Sequence, residues 1–279
     1  MVPRTGLLRW LALAAVLALP GAAQTPKGEV QGSAWQHTSE SLKGLVAEAG
    51  VALPPAVTGG AVYLGKWKTM PAGSAVKVPV VVFLHGSSGL GLKAIGEWQQ
   101  WLAGLGIASV APDSFALPGR ITYTSPVGID IYEKIHALRA SEIAPMLAAL
   151  KGVAWADPNR LVLAGASEGG VPVARYGGPE FVARIIYSWS CESNYFVKAP
   201  LTQVVAGQPV LNVMSSSDPF FAPSNPWLGN PAARGNAAEA FKDSRTATIV
   251  LVPGAPHTLL NLPQVRAVTR SFLEDSVKP

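Results

Sequence analysis

Residues 161–175 read Leu161-Val162-Leu163-Ala164-Gly165-Ala166-Ser167-Glu168-Gly169-Gly170-Val171-Pro172-Val173-Ala174-Arg175. The apolar run at 161–164 has the character of a strand buried on both faces. It passes through a serine framed by glycines into residues 171–175, which can begin a helix. Strand, G-x-S-x-G turn and helix in that order make a nucleophile elbow, a sharp turn that lifts a hydroxyl to where a base and a substrate can reach it. Side chains at the flanking positions would collide with the adjoining strand and helix, which accounts for Gly165 and Gly169.

Working outward from this turn, similar apolar runs lie at 78–84 (Val-Pro-Val-Val-Val-Phe-Leu), 107–111, 182–189, 210–214 and 247–252. An earlier strand is expected within 61–70, bounded by glycines and Pro71. Between the strands, helical spacing recurs at 129–150, with a kink expected at Pro145, and at 237–242 and 264–273. A first helix carries Leu42, Leu45, Val46 and Ala49 on one face, with Thr38 to cap its start and Gly50 to end it. Alternating strands and helices predict an α/β fold with a mostly parallel central sheet and helices on both faces. No repeat or low-complexity linker divides the chain, so residues 24–279 are expected to form one domain, entered through a flexible lead-in at 24–37.

Composition agrees with a large buried core. Of 279 residues 49% are hydrophobic and only 14% charged, against ~25% charged in ordinary soluble domains. That excludes a disordered polyelectrolyte, and 28 glycines with 24 prolines disfavour a helical bundle. Residues 1–23 combine Arg4 and Arg9, an apolar run at 10–19, and the small residues Gly21, Ala22 and Ala23. This is the layout of a cleaved secretory signal, and its apolar run is too short for the ~20 residues of a membrane span. The mature protein is therefore expected to be secreted or periplasmic, with no membrane span. Without the two leader arginines the formal charge falls from +5 to +3. The remaining basic residues are scattered, which argues against a nucleic-acid partner. The single cysteine, Cys191, excludes an internal disulfide.

The chemistry is read from what can surround Ser167. Backbone N–H groups in a glycine-rich turn stabilise the negative charge that develops on a tetrahedral intermediate. His85-Gly86-Ser87-Ser88-Gly89, at the end of the 78–84 run, offers such a turn, and the donors are assigned to Ser87 and to Glu168, the residue after the serine. His85 then serves the turn structurally. Of four histidines, His37 lies in the lead-in and His136 in a helical segment. His257, in the loop after the last strand, remains as the general base. Asp218, after the strand at 210–214, fits the chain order serine, acid, histidine; Glu192 and Asp243 are its rivals. Trp189, Phe220 and Trp227, together with Phe221, come from strand ends and loops that can wall a substrate pocket. The long stretches at 114–128 and 215–236 are candidates for its walls or lid. No metal-binding or nucleotide-binding pattern is present, so no cofactor is expected.

These motifs (HGSSG, Ala111-Pro112-Asp113-Ser114-Phe115, Asp157-Pro158-Asn159-Arg160 leading into GASEGG, Ser215-Ser216-Ser217-Asp218, and Pro253-Gly254-Ala255-Pro256-His257) resemble those of the dienelactone hydrolase family. The resemblance spans roughly residues 78–273. The elbow here carries serine where the family's namesake enzymes carry cysteine. The resemblance implies a single α/β-hydrolase domain with Ser167, Asp218 and His257 as a triad. The expected activity is hydrolysis of a small-molecule or polymeric carboxylic ester through an acyl-enzyme. A peptidase or amidase with the same triad, and a non-catalytic binding module on the same fold, are the alternatives.

Overall fold

A computed structural model describes residues 27–205 and 207–278; the leader read at 1–23 lies outside them. In chain order the elements are β1 (Val30–Gln31), α1 (Ser39–Ala47), β2 (Gly50–Leu53), α2 (Pro55–Thr58), β3 (Tyr63–Lys66), β4 (Val78–Leu84), α3 (Lys93–Gly104), β5 (Ala108–Ala111) and β6 (Thr122–Tyr123). They continue with α4 (Ile129–Ala140), α5 (Ile143–Lys151), β7 (Ala156–Ala166), α6 (Gly170–Arg175), β8 (Ala183–Tyr187), β9 (Val210–Ser215), β10 (Ala247–Val252) and α7 (Pro263–Ser276). Eight strands form one sheet in the order β10-β9-β8-β7-β4-β5-β2-β3. From β10 to β5 every neighbour is parallel; β2 runs antiparallel to both β5 and β3.

The run at 78–84 explains the two cores. Successive strand residues point to opposite faces, so Val80, Val82 and Leu84 join one buried cluster while Val81 and Phe83 join the other. The first cluster packs against Tyr132 of α4, Ile143, Met146 and Leu147 of α5, and Val171 of α6. The second packs against Ile95, Trp98 and Leu102 of α3 and Val265 and Leu273 of α7. Helices therefore cover both faces, as the near-continuous apolar strands require.

Several elements differ from expectation. The lead-in is tied down: β1 pairs antiparallel with β6, and the Gly28 N–H donates to Pro126 O at 2.8 Å. Helix α1 starts as expected, with Thr38 and Ser41 forming a reciprocal cap, but ends at Ala47. Gly50 is instead the first residue of β2, whose few apolar residues before Pro54 are too short a run to read as a strand. The early strand is confined to Tyr63–Lys66 and closes in a 3-10 turn over Trp67–Thr69. The segment 129–150 is two helices that break at Ser141 and Glu142, ahead of Pro145. That proline sits in the first turn of α5, where its missing N–H leaves no helical hydrogen bond unmade. Residues 237–242 form turns rather than a helix: of the helical backbone bonds only Phe241 N–H to Ala237 O, at 3.1 Å, closes within them. Helix α3 has no counterpart in the sequence reading: Gly96 lies within it and a polar residue, Gln99, is buried on its apolar face.

Trp98 is fully buried, with its ring 4.9 Å from that of Phe83 and 6.0 Å, edge-on, from that of Tyr187. Trp98→Ala should destabilise the protein by ~3–5 kcal/mol, the usual loss on truncating a buried tryptophan. The shift of the urea unfolding midpoint at unchanged slope measures it, and a loss below ~1 kcal/mol would contradict this packing role.

Candidate active site

Strand β7 delivers Ser167 to the sheet's carboxyl edge. Its φ is +54°, a left-handed conformation that a non-glycine residue adopts only where surrounding structure enforces it. The glycines on either side are obligatory. A Cβ on Gly165 would lie 2.4 Å from Gly169 O, and one on Gly169 would lie 2.1 Å from Leu84 O. The turn is thus pressed onto the end of β4, and α6 begins at Gly170 immediately after it.

His257 enters from the loop after β10. Its Nδ1 lies 2.7 Å from Asp218 Oδ2, so Nδ1–H donates to the carboxylate and the bond fixes the ring's tautomer. Asp218 is fully buried. Its other oxygen, Oδ1, accepts from the N–H groups of Phe220 at 2.9 Å and Phe221 at 3.1 Å. The loop itself is held by two hydroxyls at strand ends. Ser188 Oγ donates to His257 O at 2.5 Å and Ser215 Oγ to Ala255 O at 2.6 Å. Ser188 also has a left-handed φ of +53°.

Ser167, His257, Ser87 and Ser88 border one cavity of about 60 Å³. No hydrogen bond joins the Ser167 hydroxyl to His257 among the described residues; such contacts are often loose before substrate binds. The Ser87 N–H is not used by any backbone acceptor among the described residues. His85 is buried, donates from Nδ1 to Gly86 O at 2.7 Å, and accepts at Nε2 from Ser114 N–H at 3.2 Å, bracing this turn.

The Glu168 side chain turns away into the protein and is fully buried. Its Oε1 accepts from Arg120 Nη2 at 2.6 Å and Arg139 Nη1 at 3.2 Å. Arg139 Nε is 2.9 Å from Glu142 Oε2, and His37 Nε2 lies 3.4 Å from Glu142 Oε1. Nothing in the sequence reading pointed to this cluster. Its one signal was the presence of Arg139 and Glu142 inside a largely apolar helical segment of a chain poor in charge.

The rival acids sit elsewhere. Glu192 accepts from the N–H groups of Arg234 and Gly235, and Asp243 is exposed in a turn. Of the expected wall residues, Phe220 lies edge-on to His257 with centroids 4.7 Å apart, and Trp227 contacts Phe220 and Tyr195. Phe221 is buried with its ring 6.1 Å from that of His257. Trp189 is fully buried in the core with its Cβ against Gly170, and, like Phe220, Phe221 and Trp227, it does not border the cavity. Cys191 is likewise a buried core residue, and burial pushes its thiol well above the ordinary range. Among the described residues no cluster of three or more His, Cys, Asp or Glu is placed to hold a metal ion, and no helix is long and apolar enough to cross a membrane.

Two histidines make stability depend on pH. Burial, with the Arg139 charge nearby, holds His85 well below its ordinary value. Burial also lowers His136, whose Nε2 faces Phe196 O, to about 4. Both are neutral in the folded protein near neutrality, whereas the unfolded chain protonates them near pH ~6.5. Below that pH the unfolded state binds more protons, so stability falls as pH drops from about 6.5 toward 4, by ~1.4 kcal/mol per unit for each histidine. Urea unfolding at pH 7, 6 and 5 checks this; a stability flat across that range would contradict it.

No family model and no curated protein sequence matches the chain. Solved structures do. An S-formylglutathione hydrolase from Agrobacterium tumefaciens is 17% identical over 89% of this chain and 98% of its own, with a TM-score of 0.54. The thermophilic esterase Est2 from Thermogutta terrifontis is 14% identical over 81% of this chain and 86% of its own, at 0.50. Est1E from Butyrivibrio proteoclasticus, solved with ferulic acid bound, is 18% identical over 82% of this chain and 93% of its own, also at 0.50. At such identities the likeness is one of fold, and with the sheet order described above it establishes that this chain has the α/β-hydrolase fold.

Proposed function

We propose that the protein is a carboxylic ester hydrolase of the dienelactone hydrolase type, with Ser167 as nucleophile, His257 as general base and Asp218 as its orienting acid. The observation that carries this reading is the buried Asp218, bonded at 2.7 Å to Nδ1 of a histidine that shares a cavity with a serine in a left-handed elbow. Nδ1 is occupied by Asp218, so Nε2 is the atom left to exchange protons.

Ser167 Oγ attacks the ester carbonyl carbon while His257 Nε2 takes its proton. The carbonyl oxygen becomes an oxyanion, stabilised by the N–H groups of Ser87 and Glu168. Collapse breaks the bond to the alcohol oxygen, which leaves with the proton returned by His257. A water molecule, deprotonated by the same imidazole, then attacks the acyl-enzyme. The second collapse frees the acid and restores the serine. Asp218 stabilises the imidazolium in both halves without itself taking the proton.

Ser167→Ala should lower kcat/KM for 4-nitrophenyl acetate at least 10³-fold with an unchanged unfolding midpoint; retained turnover in a folded variant would refute the assignment. Activity on the matching anilide separates an esterase from an amidase, and the ester is expected to be much the faster substrate. The reading includes export by the leader at 1–23. N-terminal sequencing of the exported protein should then begin at Gln24, and an exported chain still starting at Met1 would contradict cleavage.

A further inference from the structure

We propose that the cavity beside Ser167 receives the acyl group of the substrate and limits it to short, uncharged chains of about two to four carbons. This rests on the serine esterase reading and adds the class of acid to it. The cavity is about 60 Å³, against the ~150 Å³ of an apolar cavity that admits the six carbons of benzene. In proportion it has room for about two or three carbons beyond the carbonyl, that of an acetyl, propionyl or butyryl chain.

Its walls have little freedom to give. Phe83 and Leu259 are fully buried, and Ile95 and Leu260 are 3% exposed. All four belong to the core cluster between the sheet and helices α3 and α7. Close-packed interiors of this kind do not open to admit extra methylenes without strain. Leu92, which is 37% exposed, is the most exposed of the apolar residues that border it. No lysine or arginine borders the cavity, and Arg120, near the elbow, is buried and bonded to Glu168. An acyl group bearing a carboxylate would therefore be desolvated there without a partner.

The two halves of an ester have different needs, which decides what this cavity holds. The acyl group stays bonded to Ser167 until water has attacked, so it needs the recess between Ser87 and the buried side chains of Phe83, Ile95, Leu259 and Leu260. The alcohol must receive a proton from His257 and leave. The His257 side chain is 20% exposed and flanked by Phe220, so the alcohol is assigned to the solvent side of the imidazole.

The test is a series of 4-nitrophenyl acetate, butyrate and octanoate on the full-length mature enzyme, with Leu260→Ala and Leu92→Ala variants alongside. In the wild type kcat/KM should fall at least ten-fold from butyrate to octanoate. Each variant should raise the octanoate-to-acetate ratio at least five-fold. Leu92 is partly exposed, so its variant keeps the comparison available if Leu260→Ala folds poorly. Octanoate cleaved within two-fold of acetate by the wild type would overturn the proposal, as would ratios unchanged in folded variants. Failure of the underlying serine reading has a different signature: acetate turnover that survives Ser167→Ala, whatever the chain-length profile.

Discussion

The structure depends most on how closely the turn at Ser167 is pressed against the end of β4. Leu84 O approaches the place where a Gly169 side chain would begin, and Gly165 meets Gly169 O in the same way. This contact forces Ser167 into its left-handed conformation and brings the two turns, at Ser87 and at Ser167, to one cavity. It is possible because β4 and β7 are adjacent and parallel at the sheet's centre. In their register Phe83 lies opposite Ala164 and Leu84 opposite Gly165, so the two strands end side by side where the turns begin. A left-handed serine of this kind costs of order 1–3 kcal/mol, and the packed strands beneath it supply the stability that offsets it.

Glu168 adds a second restraint from below. With Arg120, Arg139 and Glu142 it forms a fully or nearly fully buried group of two anions and two cations. Such a cluster is a poor source of net stability, because desolvation offsets most of the attraction, yet removing one member strands a buried charge at a cost of about 3–5 kcal/mol. Its consequence is positional. The partners come from the loop before β6, from α4 and from the link to α5, and His37 connects the lead-in to Glu142. The elbow is thereby bound to segments on the same side of the sheet that are remote in sequence.

What was legible beforehand follows from which interactions are local. The run at 78–84 coincides with β4 and that at 247–252 with β10, because burial on both faces leaves its mark in consecutive residues. Helix α6 and the glycine-framed turn were readable for the same reason. The pairing of His257 with Asp218 follows from chain order combined with the sheet's parallel topology. The Arg120, Arg139, Glu142 and Glu168 cluster was not legible, since its members are separated by up to 48 residues and only the fold makes them neighbours. The lead-in is ordered where flexibility was expected, because β1 and its partner β6 are two residues each and too short to leave an alternation in the sequence. Residues 237–242 carry helical spacing, but the segment is only six residues long and closes a single helical bond, Phe241 N–H to Ala237 O, too little to sustain a helix.

The two kinds of restraint around His257 make different demands on the sequence. The serine is held by covalent geometry and packing, which leaves almost no choice at Gly165 and Gly169. The histidine sits on a loop, and its place is set by hydrogen bonds: Asp218 at its ring, Ser188 and Ser215 at the carbonyls of its own segment. Asp218 is in turn fixed by the N–H groups of Phe220 and Phe221, so the residues that orient the acid also place an aromatic ring against the imidazole. Changes in the loop at 215–236 therefore alter the aromatic wall and the acid together. The cavity on the other side takes its apolar walls from Phe83 of β4, Ile95 of α3 and Leu259 and Leu260 before α7, and no residue of 215–236 borders it. A chain built this way can change what lies along its aromatic wall while keeping the size of the cavity beside its serine.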